Sequence, residues 1–151
     1  MNFAKINDIS IHFNYINNGL NKPTVVFSNS LGTDFRIWES CVENLSNDYS
    51  ILTYDKRGHG LSGLGNSPYV IDDHVADLID LMDHLKISEA VLVGLSVGGL
   101  IVQGVYHKRP DLVQGLILCD TAAKIGNEQM WNDRIAVARE GGLEALLEGN
   151  M

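Results

Sequence analysis

The chain has 151 residues, enough for one globular domain with a sizeable core and too few for two. Hydrophobic residues make up 45% and charged residues 20%, the balance of an ordinary folded domain, so disorder is not expected to dominate. Eleven Lys plus Arg against nineteen Asp plus Glu give a net charge of −8, which repels nucleic acid and anionic membrane and argues against both as partners.

The N-terminus, Met1-Asn2-Phe3-Ala4-Lys5, has no cationic segment followed by an apolar run, so no secretory signal is expected. The first clear strand pattern is Ile9-Ser10-Ile11-His12-Phe13-Asn14-Tyr15-Ile16, where apolar and polar residues alternate as in a half-exposed antiparallel strand. Short continuous apolar runs then follow at residues 24–27, 50–54, 90–94 and 115–119. Runs of this kind suit strands covered on both faces.

Between the runs the period becomes helical. Ile37, Cys41, Val42 and Leu45 share one face of a short helix. Val75, Leu78, Ile79, Met82 and Leu85 share a face of a longer one, with Asp72, Asp73 and Asp77 toward its N-terminal end, where the dipole favours anions. Leu100, Ile101, Val102 and Val105 belong to a helix apolar nearly all round, expected to be deeply buried and to stop before Pro110. Buried strands alternating with helices predict an α/β fold, a mostly parallel sheet with helices on both faces. From about Thr121 the texture changes: 122–126 reads as loop, and 131–147 as helix interrupted at Gly141-Gly142. No apolar stretch approaches the roughly 20 residues of a membrane span. Cys41 and Cys119 match no metal or redox spacing and read as buried free thiols, as in a reducing cytoplasm. The default is a soluble cytoplasmic protein.

Three motifs carry chemistry. Gly94-Leu95-Ser96-Val97-Gly98 fits the G-x-S-x-G pattern, with an apolar strand running in and an apolar helix running out, the setting of a nucleophile elbow. Ser96 is then the nucleophile, and the free N–H groups at the helix N-terminus would stabilise a developing oxyanion. A glycine-rich strand–helix turn of a nucleotide-binding domain would explain the five residues less well than this context does. The second motif is Ser28-Asn29-Ser30-Leu31-Gly32-Thr33, the loop after another strand. The third is Asp55-Lys56-Arg57-Gly58-His59-Gly60-Leu61-Ser62. His59 there precedes Ser96, whereas the order for this architecture is Ser, acid, His, so a loop-bracing role is the better reading.

After Ser96 the sole histidine is His107, eleven residues along the helix and about 16 Å away. That is beyond a hydrogen bond to Ser96, and a cation near a helix C-terminus is the better reading. His12, His74 and His84 read as surface or helix-face residues. Asp120, just after a strand, is a weak candidate for the triad acid and completes nothing without a base.

Together the motifs resemble the α/β-hydrolase superfamily. With Thr121-Ala122-Ala123-Lys124-Ile125-Gly126, their wording is similar to its 3-oxoadipate enol-lactonase family, across essentially the whole chain. Asn29-Ser30 stands where many relatives have His-Gly. The resemblance implies serine-dependent hydrolysis of 3-oxoadipate enol-lactone to 3-oxoadipate, a ring-opening step in bacterial aromatic degradation. Ser96 would attack the lactone carbonyl, with the backbone N–H groups of Leu31 and Val97 forming the oxyanion hole. No metal or organic cofactor is implied. Residues 1–121 would be the N-terminal part of the hydrolase core and 122–151 the start of a helical cap, where Trp131 is a candidate substrate contact. The acid and histidine would lie past this stretch, so the chain is expected to be truncated before them. Two other readings stay open: a general carboxylesterase or perhydrolase-type enzyme on a small-molecule ester, and a non-catalytic binding module on the same scaffold. An open sheet edge would favour self-association.

Overall fold

Six strands form one sheet in the order β1-β2-β4-β3-β5-β6 in the computed structural model, which describes residues 2–19 and 22–148. The strands are β1 (Asn2–Ile6), β2 (Ile9–Ile16), β3 (Thr24–Ser28), β4 (Ser50–Tyr54), β5 (Ala90–Leu95) and β6 (Val113–Cys119). β1, β2 and β4 pair antiparallel, whereas β4, β3, β5 and β6 run parallel. The helices are α1 (Glu39–Leu45), α2 (Ile71–His84), α3 (Val97–Lys108), α4 (Glu128–Gly141) and α5 (Ala145–Glu148). No helix among the described residues is long and apolar enough to cross a membrane.

The helices cover both faces of the sheet, as the alternation of periods predicts. α2 and α3 pack on one face, where Val75, Leu78, Leu81, Met82, Ile101, Val102 and Val105 meet Ile11, Val26, Leu52 and Leu92. The other face is smaller. There Trp38, in a 3-10 turn ahead of α1, joins Val25, Phe27, Ile51 and Val93. Each such side chain, fully buried, contributes about 1.5–3 kcal/mol, which is what holds the layers together.

β1 gave no clear sequence signal and is real. It makes a hairpin with β2 around Asn7-Asp8, with Asn7 at φ 51°, the left-handed backbone such two-residue turns require. Four expectations are corrected. β6 is not covered on both faces: it lies at the sheet edge and leaves Ile117 and Leu118 about half exposed. Cys41 is exposed and Cys119 half-buried, because Trp38 rather than Cys41 anchors this segment to the sheet. Asp77 lies beyond the first turn of α2, so the helix dipole is not what holds its charge. It is buried, taking Arg57 Nε at 2.7 Å and Nη2 at 2.8 Å. α3 is buried on one face only, and its Leu100–Gln103–Gly104 side borders a cleft.

The topology places two loops together. From β3 the chain passes through α1 to β4, then crosses back through α2 to β5 on the other side of β3. In open parallel sheets such a reversal leaves a crevice at the carboxyl ends of the strands, where ligands bind. The register pairs Ser28 at the end of β3 with Gly94 near the end of β5, so the 28–33 loop and the 94–98 turn lie side by side.

Candidate active site

Ser96 occupies φ 55°, ψ −118°, between the end of β5 and the first residue of α3. A non-glycine residue holds that conformation only when its surroundings impose it. Here they do. Ser96 N donates to Cys119 O at 3.0 Å, and its own carbonyl accepts Gly99 N at 2.9 Å and Thr121 Oγ1 at 2.7 Å. The tight turn also dictates its flanking glycines. A Cβ on Gly94 would sit 2.5 Å from Gly98 O, and one on Gly98 would sit 2.1 Å from Ser28 O. The second contact fastens the start of α3 directly against the end of β3.

Ser96, Val97, Leu31 and Trp131 line one cleft of about 870 Å³. Val97 opens α3, and the first N–H groups of a helix have no partner within it. Trp131 enters from α4, and its Nε1 donates to Ile125 O at 2.9 Å, so the indole is held by the 122–127 loop while bordering the cleft. Gln103 ties that loop to α3 by donating to Gly99 O and Ala122 O, at 2.9 and 3.2 Å. Lys124 and His107 border the same cleft. His107 is exposed at the far end of α3, so it shares the cavity with Ser96 from the other end of the helix.

Asp120 is exposed, with φ 41°, and does not line the cleft. Among the described residues, no hydrogen bond joins Ser96 Oγ to an imidazole. His59 Nδ1 instead donates to Arg57 O at 3.0 Å, and His84 is exposed. His12 departs from its surface reading: it is buried, with Nδ1 2.8 Å from Asp55 Oδ2 and its ring between Phe3 and Phe35. Asp55 serves as a fastening for loops. It accepts Phe35 N and Leu61 N at 2.9 and 3.0 Å, and its backbone carbonyl accepts Ser62 Oγ at 2.7 Å.

Lys56 is also buried, and its Nζ donates to Ser30 O at 2.9 Å. Burial pulls its pKa down to about 7, against the opposing pull of the Asp55 carboxylate. Burial, with Lys56 nearby, likewise lowers His74 to about 4. Neither interior contact has a local sequence signal, because the partners lie 26 or more residues away.

The fold that carries this turn and cleft is matched by known proteins. The sequence pattern of the alpha/beta hydrolase fold matches residues 23–141. The chain belongs to the α/β-hydrolase family. Within the family it is similar to 3-oxoadipate enol-lactonase 2 of Acinetobacter baylyi, at 39% identity over 127 residues, covering 84% of this chain and 48% of that protein. Its structure is similar to the enol-lactonase from Burkholderia xenovorans LB400, with TM-score 0.92 and 38% identity, over 98% of this chain and 57% of that one. It also resembles a thermophilic esterase from Thermogutta terrifontis, with TM-score 0.84 and 27% identity, over 94% of this chain and 53% of that one. This α/β-hydrolase chain therefore spans about half the length of the relatives it matches.

Proposed function

We propose that the chain carries the nucleophile half of a serine hydrolase that opens 3-oxoadipate enol-lactone. The observation that carries the hydrolase reading is the φ 55° backbone of Ser96 at the head of α3, inside a cleft shared with Leu31. Ser96 Oγ attacks the lactone carbonyl, the ring C–O bond breaks, and the enol oxygen leaves with a proton. The N–H groups of Leu31 and Val97 hold the oxyanion, and water then releases the acid from Ser96. Similarity to two enol-lactonases supports this substrate. Residues 122–151 act as the start of a cap that brings Trp131 over the cleft. No histidine among the described residues is hydrogen-bonded to Ser96. We therefore take the general base and the acid to belong to the portion of such an enzyme that this chain does not span.

The test is hydrolysis of the enol-lactone by the 151-residue chain, alone and mixed with the C-terminal half of a similar enol-lactonase. Losing the triad base costs on the order of 10⁶-fold in kcat, so the chain alone should turn over barely above background and the mixture faster. Full turnover by the chain alone would overturn the missing-base reading. A general esterase is the second reading, favoured by the likeness to the Thermogutta esterase. Rapid p-nitrophenyl ester cleavage by the mixture with an inert lactone would establish it. Absence of both activities, and of fluorophosphonate labelling, from a folded mixture would favour a non-catalytic binding module.

A further inference from the structure

Lys56 is fully buried, yet nothing in the nucleophile chemistry uses it. Burying an ammonium group is costly unless a partner compensates, and a methionine would fill similar space without that cost. Its partner is specific. Lys56 Nζ donates to Ser30 O at 2.9 Å, and Thr33 Oγ1 donates to the same oxygen, also at 2.9 Å. Ser30 O belongs to the peptide whose N–H is that of Leu31. The chain's sole cis bond among the described residues is Ser67–Pro68, so the Ser30–Leu31 peptide is trans. In a planar trans peptide the C=O and N–H point in opposite directions. Pinning the carbonyl toward the interior therefore turns the Leu31 N–H outward, and Leu31 borders the cleft that contains Ser96.

We propose that Lys56 is the positioning residue of the oxyanion hole: its hydrogen bond to Ser30 O aims the Leu31 N–H at the cleft and polarises that peptide into a stronger donor. The proposal rests on the reading of Leu31 as an oxyanion donor. Polarisation follows because a donor on the carbonyl, above all a charged one, draws electron density from the amide nitrogen through the peptide. Asp55 keeps Lys56 company from the end of β4, and Phe35 N on Asp55 Oδ1 fixes the far end of the same loop. The loop that forms one wall of the site is thus held from beneath by two consecutive residues, Asp55 and Lys56. The other titratable groups around Lys56 are His59 on its own loop and His74 on α2, both lowered by burial with Lys56 contributing. The Arg57–Asp77 pair lies beside them.

The experiment is carbon-detected NMR of the 151-residue chain, following the Ser30 carbonyl carbon and Leu31 nitrogen from pH 5.5 to 9. Both resonances should move with a midpoint near 7, where Lys56 loses its proton. The movement should persist in His59→Gln and His74→Gln and vanish in Lys56→Met. Ser30 carbonyl and Leu31 nitrogen shifts at pH 6 that are the same in the wild-type chain and a folded Lys56→Met variant overturn the proposal, and so does an unchanged inflection in that variant. Should Lys56→Met fail to fold, Lys56→Gln takes its place in the same comparison. The second arm is phosphonylation of Ser96 by a fluorophosphonate in the mixture with the C-terminal half of a similar enol-lactonase, expected to slow about 10–100-fold in Lys56→Met with the reagent concentration at half-maximal rate unchanged. Equal rates count against the proposal. An unlabelled wild-type mixture instead counts against Ser96 as an activated nucleophile, and leaves the NMR result to judge Lys56.

Discussion

Replacing Ser96 by glycine should make the chain more stable while removing the proposed nucleophile. Ser96 sits at φ 55°, ψ −118°, the backbone of the first central residue of a type II′ turn, where glycine is the ordinary occupant. Holding a residue with a Cβ there costs about 1–3 kcal/mol. Glycine gives back part of the gain, about 0.4–1 kcal/mol, through the greater freedom of its unfolded chain. The net stabilisation is about 0.5–2 kcal/mol, measured against Ser96→Ala, which also lacks the hydroxyl but keeps the Cβ. In urea, with a slope of about 2 kcal/mol/M, the unfolding midpoint of Ser96→Gly should lie about 0.3–1 M above that of Ser96→Ala. A midpoint for the glycine variant equal to or below the alanine variant would refute the claim that the turn stores strain.

Gly98→Ala should lose at least about 2 kcal/mol, because its Cβ would stand 2.1 Å from Ser28 O and only movement of backbone can relieve that. Thermal unfolding should then begin about 4–8 °C lower, and an unchanged melting curve would contradict the contact. Asp77→Ala leaves Arg57 buried with only Asp8 at 3.3 Å, half of whose side chain is in water. It should cost about 3 kcal/mol or more, and a loss below about 1 kcal/mol in urea would show the pair to be dispensable. For His74, a folded pKa of about 4 against 6.5 unfolded means that the unfolded chain binds more protons between these values. Its contribution to stability is therefore complete above pH 6.5 and is lost as pH falls toward 4. His74→Gln should flatten that part of the stability profile, as read from urea midpoints at pH 4.5, 5.5 and 6.5.

Strands β3 to β6 were legible as apolar β-branched and aromatic runs and β2 as an alternation, and both patterns are local. β1 was not, since only Ala4 and Ile6 of its five residues point inward, and its pairing depends on the turn at Asn7-Asp8. That turn was the available signal. The turn at Ser96 was legible for a different reason: its geometry restricts Gly94 and Gly98 within a five-residue window. His12, Asp77 and Lys56 were misread or passed over because each is buried by a partner 20 or more residues away, which no periodicity encodes. The same holds for Cys41, whose apolar neighbours implied burial that Trp38 takes instead.

The hydrogen bonds from Ser96 N to Cys119 O and from Thr121 Oγ1 to Ser96 O tie the peptide groups of Ser96 to the end of an edge strand. A strand paired on one side only is among the first parts of a sheet to open, so the elbow inherits its opening free energy. The Ser96 amide should then exchange with solvent deuterium at the rate of the β6 ladder rather than at the slower rate of central β3. Whatever pairs with the free side of β6 would slow that exchange and stiffen the turn at Ser96 without touching it.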